Sequence, residues 1–496
     1  MAVNLVRNSR VFFTTNVNSS TGVANTTGFT NLNTQEIQVL EGFTFSQNTN
    51  ATQITISEAG VAPVRGQRSF NTSLAPVDFS FSTYIRPYNA TTAITAEESV
   101  LWNTLFSAND YNATGVTQTL GGTATYVYAY TNANSTGTLT ISLTTGTLTS
   151  ATILVGDIVT IGGFTSATGG ALTSFNAPAL VKSYKIGGSS ITSGTVPITG
   201  LTELVLEYVN PTTTATTGLT NASPKLYRAA WSPISATLSQ VTAAGSNVNQ
   251  LLKFAMFFSV DNVVYQVDNC AMNQAMIDFG LGNIATIQWT GQATALSQSA
   301  VALSTITATA GTTYTAKNTS APFITNKLST VTFSLVNALG SATAGTAYTI
   351  ALTGGSVTIN NNIIYVTPAN LGVVNLPAVY YTGTRAISGS MTAYLKTGSG
   401  VGGTGQLLAD MLAAISASTE PMAAVQLAIG GSANSTKVVL DMPAVTFTIP
   451  TIDASQPVVS TTINFTAEGY APNTTANANV FALDELTDLT VRYYSA

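Results

Sequence analysis

The chain has 496 residues, and Asp, Glu, Lys and Arg together make up 7% of them, against about 25% in an average soluble domain. Hydrophobic residues make up 45% of the chain, which excludes a disordered protein. The formal net charge of -5 excludes a strongly basic surface that would hold nucleic acid tightly. The length predicts about two to four domains.

Alternation of β-branched or aromatic residues with small polar ones is the main pattern along the chain, and it predicts strands. Clear examples begin at Asp78 (DFSFSTYIRP), Thr123 (TATYVYAYT), Thr136 (TGTLTISLTTGTLT) and Thr330 (TVTFSLV). Pairs of Gly or Asn between such segments indicate turns. The sequence therefore predicts a mainly β protein.

Residues 98–108 (ESVLWNTLFSA) interrupt this pattern with the spacing of an amphipathic helix. Four apolar residues fall on one helical face, and we expect that face to pack on a sheet. They are Leu101, Trp102, Leu105 and Phe106. A second segment, 403–416 (GTGQLLADMLAAIS), repeats the same spacing. Its predicted buried face consists of Leu407, Leu408, Met411 and Leu412.

The sequences around the two helices also match in order. Upstream of the helices, Tyr84 matches Tyr394. Downstream, Asp268 matches Asp441, and the segment 289–291 is matched with 465–469. Two similar sets in the same order predict an internal duplication, in which strands, one helix and a strand pair are built twice.

The duplication predicts two tandem β-sandwich or barrel domains, each with one flanking helix, plus an inserted small β domain. About 140 residues separate the first helix from its next matching strand, which is too long for a structureless loop. The expected first β domain is discontinuous, at 1–110 and 251–300, with the insert at 111–250. A β-rich connection at 301–375 leads to the second domain at 376–496, and we expect part of the connection to belong to that domain.

Few residues are suited to catalysis or metal binding. There is no histidine, which excludes histidine-dependent nucleophilic, acid–base and zinc sites. The carboxylate clusters are explained more simply as helix caps or solvated loops; they are Glu97 with Glu98, Glu36 with Glu41, and Asp484 with Glu485. The single cysteine, Cys270, fits a small buried residue. We expect no catalytic, cofactor or metal site, and no enzyme.

The N-terminal residues contain no long apolar stretch of the export-signal type. The densest apolar window, 251–260, is far shorter than the roughly 20 residues that a membrane span needs. We therefore expect neither an export signal nor a membrane segment.

Several extended segments resemble tail tube proteins of tailed bacteriophages, especially phages of cyanobacteria. The resemblance covers roughly 1–110, 251–300 and 380 to the end. The segments that carry it are RNSRVFFTT, NTQEIQVLEGFTFSQNTNATQITISEAG, PVRGQRSFNTSLAPVDFSFSTYIRPY, EESVLWNTLFSA and LTDLTVRYYSA.

The resemblance implies a structural subunit that closes into rings around a channel for the viral genome. Rings of this family generally present six copies of the fold, so a duplicated chain implies three chains per ring. The implied partners are other copies of the chain, other tail proteins and transiently passing DNA. The implied location is the virion tail, assembled in the host cytoplasm. An insert on the outer wall would favour a non-contractile tail.

Ring stacking in this family commonly uses extended arms. The candidates are a hairpin at 36–50 and the C-terminal strand. The candidate residues are Glu36, Gln38, Glu41, Phe43, Arg492 and Tyr493. An alternative function remains at this point: a virion surface fibre or adhesin, or another tail structural protein, because Thr-, Gly- and Asn-rich β modules are common in that class as well.

Overall fold

A computed structural model gives the fold of the chain. The residues it describes are 9–30, 33–40, 42–54, 68–90, 93–96, 98–106, 117–119, 124–131, 136–147, 158–162, 178–192, 196–197, 199–208, 225–228, 251–261, 263–299, 301, 323–335, 347–350, 352–371, 373–396, 403–416, 422–430, 437–454, 457–468 and 489–494.

The described residues form antiparallel strands and two α-helices, so the predicted mainly β fold is confirmed. The first elements are β1 (Arg10–Thr14), β2 (Thr34–Ile37), β3 (Thr44–Ile54), β4 (Arg68–Tyr84), β5 (Pro87–Ala90), β6 (Ala93–Ala96) and helix α1 (Ser99–Phe106). Next come β7 (Thr117–Thr119), β8 (Ala124–Thr131), β9 (Thr136–Thr147), β10 (Ile158–Gly162), β11 (Pro178–Ile186), β12 (Ser189–Ile191), β13 (Thr199–Tyr208) and β14 (Lys225–Arg228).

The remaining elements follow the inserted strands and include the second α-helix. Four strands come first: β15 (Phe254–Val260), β16 (Val263–Asp278), β17 (Thr286–Ala293) and β18 (Ala295–Gln298). They are followed by β19 (Thr330–Leu335), β20 (Ala347–Ile350), β21 (Leu352–Asn360), β22 (Ile363–Val366), β23 (Val379–Thr382), β24 (Ala386–Tyr394), α2 (Thr404–Ser416), β25 (Met422–Gly430), β26 (Lys437–Phe447), β27 (Thr451–Asp453), β28 (Ser460–Glu468) and β29 (Thr490–Tyr494).

The first half of the fold has two sheet segments that share the long strand β16. One segment has the order β2-β1-β15-β16-β18, and the other has the order β3-β4-β17-β16. Between its two pairing regions, β16 passes through Asn269, whose φ of 52° lies in the left-handed region that Asn tolerates better than most residues. This local turn of the backbone lets one strand serve both segments.

The second half repeats this arrangement strand for strand. Its segments have the orders β20-β19-β25-β26-β29 and β21-β24-β28-β26, with the short β27 beside β28. Helix α2 follows β24 as α1 follows the β4 region. Side chains from both halves form one continuous hydrophobic cluster. We call the two halves copy 1 and copy 2.

The strand registers correct two of the residue matches drawn from the sequence. Met256 pairs with Val267 in copy 1, and Val425 pairs with Met442 in copy 2. Because these pairs occupy the same place, Asp441 corresponds to Gln266, and the match to Asp268 is wrong. The sequence match relied on one shared Asp. The register of a strand depends instead on which of its residues point toward the core and which point away from it. In the same way, the match of 289–291 with 465–469 is shifted, because Gly291 corresponds to Phe465.

A phenylalanine and a glycine face each other across neighbouring strands in both copies, with their strands exchanged. In copy 1, Phe79 of β4 pairs with Gly291 of β17. In copy 2, Gly389 of β24 pairs with Phe465 of β28. A Cβ placed at either glycine would overlap the ring of the facing phenylalanine. Each copy therefore places one ring over one bare backbone position.

Helix α1 buries the face predicted from its spacing. Leu101, Trp102, Leu105 and Phe106 are all buried in the shared core. The Trp102 ring meets the Trp289 ring edge-on with centroids 5.0 Å apart, and Trp289 Nε1 donates a hydrogen bond of 2.9 Å to Thr83 Oγ1. The aromatic contact joins the helix to β17, as expected for a helix that covers a sheet.

Helix α2 buries a different face from the one predicted. Leu407 and Met411 are buried and Leu408 is half-buried, but Leu412 is 47% exposed, so its placement in the buried face is wrong. The core contains Asp410 instead, which accepts a hydrogen bond of 2.6 Å from the hydroxyl of the buried Tyr348. A buried hydroxyl needs an acceptor, and this requirement turns Asp410 toward the core in place of the apolar Leu412. Burial and this hydrogen bond raise the pKa of Tyr348.

A separate sheet of eight strands lies between α1 and β15 in the chain. Its order is β7-β14-β10-β11-β13-β9-β8, with β12 beside β11. It has its own apolar cluster, formed by residues such as Leu139, Ile141, Val181 and Leu204. All its strands come from residues within the stretch 111–250.

Substitutions on α2 should separate its buried residue from its exposed one. Leu407→Asp places a carboxylate in the core and should lower the free energy of unfolding by at least about 3 kcal/mol. Leu412→Asp, the matched control on the same helix, should cost no more than about 1 kcal/mol. Urea unfolding of both variants measures the difference. Equal losses would contradict the observed face of α2.

An exchange of Phe79 and Gly291 tests the equivalence of the two copies. Gly291→Phe alone overpacks copy 1 and should cost about 1–3 kcal/mol, and Phe79→Gly alone leaves a cavity and should cost about 3–5 kcal/mol. The double variant reproduces the arrangement of copy 2 and should regain part of the loss, because the overlap with the Phe79 ring is removed while a Cβ at residue 291 still meets the Ala271 carbonyl oxygen at 2.6 Å. Urea midpoints of the three variants give the coupling energy. Simple additivity of the two losses would show that the exchange is not equivalent.

Candidate functional site

One face of the sheet that contains β3, β4, β17, β16, β21, β24, β28 and β26 points away from the core, and most of its side chains are polar. We call this surface the polar face. Its residues are Thr44, Ser46, Asp78, Ser80, Ser82, Tyr84, Thr286, Gln288, Thr290, Gln292, Gln274, Met276, Asp278, Ser356, Thr358, Asn360, Ser388, Ser390, Thr392, Tyr394, Thr446, Thr448, Thr462, Asn464, Thr466 and Glu468.

The polar face runs without a break from copy 1 into copy 2. Strand β16 of copy 1 pairs with β21 of copy 2, from Gln274 opposite Asn360 to Asp278 opposite Ser356. One cross-strand row therefore crosses both copies. Its members, in order, are Tyr84, Thr286, Asp278, Ser356, Ser390 and Asn464. We call the β16–β21 pairing the internal junction.

The ionisable groups of the polar face are acidic or phenolic. Asp78 accepts a hydrogen bond of 2.9 Å from the Gln292 side chain, and Glu468 accepts one of 3.1 Å from Thr446. None of the residues that define the face is Lys or Arg. The face is therefore hydrated mainly by hydroxyl and amide groups and offers no fixed positive charge to a polyanion.

Each end of this sheet has a strand edge without a partner strand in the part of the chain that the structure describes. At the copy 1 end, β3 pairs only with β4. At the copy 2 end, β27 pairs only with β28. Two isoleucines close to the second edge are half exposed, with Ile449 at 49% and Ile452 at 53%. Exposed strand edges beside apolar side chains are typical of sites where another chain adds to a sheet.

The predicted stacking residues lie mostly in contacts within the chain. Glu36 forms an ion pair with Arg10, and Gln38 accepts a hydrogen bond from Arg86. The predicted hairpin at 36–50 is wrong, because β2 pairs with β1 and β3 pairs with β4. The alternation of the segment suggested two adjacent strands but could not show that each has a different partner.

The remaining stacking candidates are divided between the core and the edge of a sheet. Phe43 stacks on Phe258 with ring centroids 5.3 Å apart. Arg492 and Tyr493 lie in β29, whose backbone pairs with β26 of the same chain. Glu41 lies outside the described residues.

Two buried ionisable groups lie where β16 changes sheets. Burial raises the pKa of Asp268, although hydrogen bonds from the Ala24 amide and the Gln266 side chain oppose this rise. Burial also raises the pKa of the Cys270 thiol well above its usual value. Both groups therefore favour their neutral forms relative to a solvated group, and the thiol has the inert character of a small core residue.

Among the described residues, no group of three or more Cys, Asp or Glu side chains is arranged to hold a metal ion. Of the carboxylates considered in the sequence, Glu97, Asp484 and Glu485 lie outside the described residues, and Glu98 is buried just before α1. No helix in the described part of the chain is long and apolar enough to cross a membrane.

Comparison with known proteins adds one relative. The chain is 24% identical over 400 residues to the tail tube protein pb6 of Escherichia phage T5, and the alignment covers 80% of this chain and 58% of the relative. The relative is a phage tail tube protein. The predicted resemblance to that class is confirmed by this similarity, with the chain spanning less than two thirds of the relative's length. No protein-family model matches the chain.

Proposed function

We propose that the chain is a structural subunit of a phage tail tube that assembles into stacked rings around a channel for the viral genome. The observation that carries this proposal is the internal junction, through which two copies of one fold form a single sheet edge to edge. A unit that already joins to its own copy in this way is suited to continue the same contact into a ring. The similarity to a phage tail tube protein supports the proposal.

The proposed ring has three chains, because two copies in each chain supply the six units typical of such rings. It has pseudo-sixfold symmetry, in which contacts within a chain alternate with contacts between chains. The discontinuous domain at 1–110 and 251–300 is one unit. The domain at 376–496, together with strands from the connection at 301–375, is the next unit.

The polar face is the proposed wall of the channel. A wall of hydroxyl, amide and carboxylate groups does not form ion pairs with phosphates. DNA therefore keeps its own counterions as it passes and is not held by fixed cations. The apolar core lies on the opposite side of the same sheet and gives the wall its rigidity. The role proposed for the chain is therefore structural and not enzymatic.

The inserted eight-stranded sheet is proposed to lie outside the channel. Its own apolar cluster makes it independent of the sheet that carries the polar face. The other proposed partners are further tail proteins at the ends of the tube, with assembly in the host cytoplasm and a final place in the virion tail. The contacts that stack one ring on the next are proposed to involve the C-terminal strand β29.

Electron microscopy of the purified chain tests the proposed assembly. We expect rings or hollow tubes in which three chains surround a channel, and class averages should show six similar densities with threefold symmetry. The mass of isolated rings, measured by light scattering, should correspond to three chains. Monomers or slender solid rods would reject the tube and favour a fibre.

Lysine substitutions on the polar face test its position in the channel. Ser80→Lys, Thr290→Lys, Ser390→Lys and Asn464→Lys add positive charge at matched places in both copies. Because phosphates would pair with these cations, we expect tubes to form but DNA release from assembled virions to slow, most strongly at low salt. Substitution of the same residues by Gln is the matched control. Unchanged release at low salt would place this face away from the channel.

A further inference from the structure

The internal junction has a counterpart for each of its two strands, and both counterparts lie at open edges. Strand β21 of the junction occupies the place in copy 2 that β3 occupies in copy 1. Strand β16 occupies the place in copy 1 that β26 and β27 occupy in copy 2. The two open edges of the sheet are therefore the counterparts of the two strands that pair with each other at the internal junction.

Backbone hydrogen bonds at matched positions fix the register between the copies. The Ile85 amide donates to the Ala285 carbonyl in copy 1, and the Leu395 amide donates to the Val459 carbonyl in copy 2. Counting from these bonds along the paired strands, Ile277 corresponds to Ile452. On the other side of the junction, Val357 corresponds to Phe45, since each pairs with the equivalent residue of the next strand.

The apolar residues at the open edges are more exposed than their counterparts at the internal junction, as expected for strands that lack a partner. Ile277 is 0% exposed at the internal junction, whereas its counterpart Ile452 is 53% exposed. Val357 is likewise completely buried, whereas Phe45 is only half-buried. The apolar side chains at the open edges therefore lack the cover that the same positions have inside the chain.

Side-chain size is also complementary between the open edges. At the internal junction, Phe279 lies against Gly355, where an added Cβ would be 2.7 Å from the phenylalanine ring. The counterparts of these residues are Ala454 beside β27 and Phe43 beside β3. Each junction thus has one aromatic ring and one small residue, with the two exchanged between strands as in the pairs Phe79–Gly291 and Gly389–Phe465.

We propose that β3 of one chain pairs antiparallel with β27 of the neighbouring chain, in the register of the internal junction. The pairing places Phe45 opposite Ile452 and Ser46 opposite Thr451, because these residues correspond to Val357 with Ile277 and Thr358 with Met276. The partner is a second copy of this chain. The proposal rests on the proposed tube function and specifies the edge and register by which its rings close.

Paired cysteines test this register in assembled protein. The double variant Ser46→Cys/Thr451→Cys should form disulfides between chains on mild oxidation, with bands on a non-reducing gel at two and three times the 51.2 kDa of one chain. Both native side chains are exposed, so the substitutions should not disturb the folded chain. The buried Cys270 should stay unreacted.

Two matched controls define the expected result. Met276→Cys/Thr358→Cys carries the same pair at the internal junction and should form a disulfide within one chain, without a band of higher mass. Ala51→Cys/Thr451→Cys moves one thiol five residues along β3, about 17 Å in a strand, and should give no disulfide between chains. A cross-link from the shifted pair with none from the matched pair would overturn the proposed register.

A charge at the open edge gives a second measurement. Ile452→Asp should leave the folded chain intact, because the side chain is already exposed, but should abolish ring formation by placing a carboxylate opposite Phe45. Val127→Asp, at an exposed position of the inserted sheet, is the control and should form rings normally. Rings from the unsubstituted chain but also from Ile452→Asp would overturn this edge and leave the tube function standing. An absence of rings from the unsubstituted chain would reject the tube function itself.

Discussion

Backbone pairing between β16 and β21 joins the two copies into one sheet, and the shared core and the polar face both depend on it. Without this pairing, Ile277 and Val357 would lose the neighbours that bury them, and two rows of amide and carbonyl groups would lose their partners. Unpaired backbone groups beside apolar residues are costly in water and prone to non-specific pairing. The chain satisfies one such contact internally.

The low fraction of charged residues is consistent with joining copies of one fold edge to edge. A surface buried by further copies of the same chain cannot carry many charges, since each unpaired charge would have to lose its water. A channel wall for a polyanion cannot carry cations. Both constraints favour Thr, Ser, Asn and Gln on the outward face of strands, and these residue types occupy four of the six positions in the row from Tyr84 to Asn464. The low fraction of charged residues is therefore expected for a subunit of such an assembly.

Periodicity predicted those features that depend on neighbours along the chain. The strand pattern and the buried face of α1 are of this kind, because alternation and helical spacing are local. Leu412 could not be placed correctly from spacing, because the hydroxyl of Tyr348 draws Asp410 into the core from a strand distant in sequence. The polar face and the open edges were also beyond prediction, since they depend on which strand lies beside which, and the sequence between strands does not specify the partner.

The exchanged phenylalanine–glycine pairs explain how two copies of one fold can differ so much in sequence and still fit together. A close-packed core requires that the sum of facing volumes be kept, and it does not require that each volume stay on its own strand. Phe79 with Gly291 and Gly389 with Phe465 meet this requirement in opposite ways. The same rule applies to the proposed contact between chains, in which Phe43 would face the small Ala454 in place of Gly355 with Phe279, while Ile452 keeps the residue type of Ile277. Packing volume and strand register, more than residue identity, are therefore what the two kinds of junction have in common.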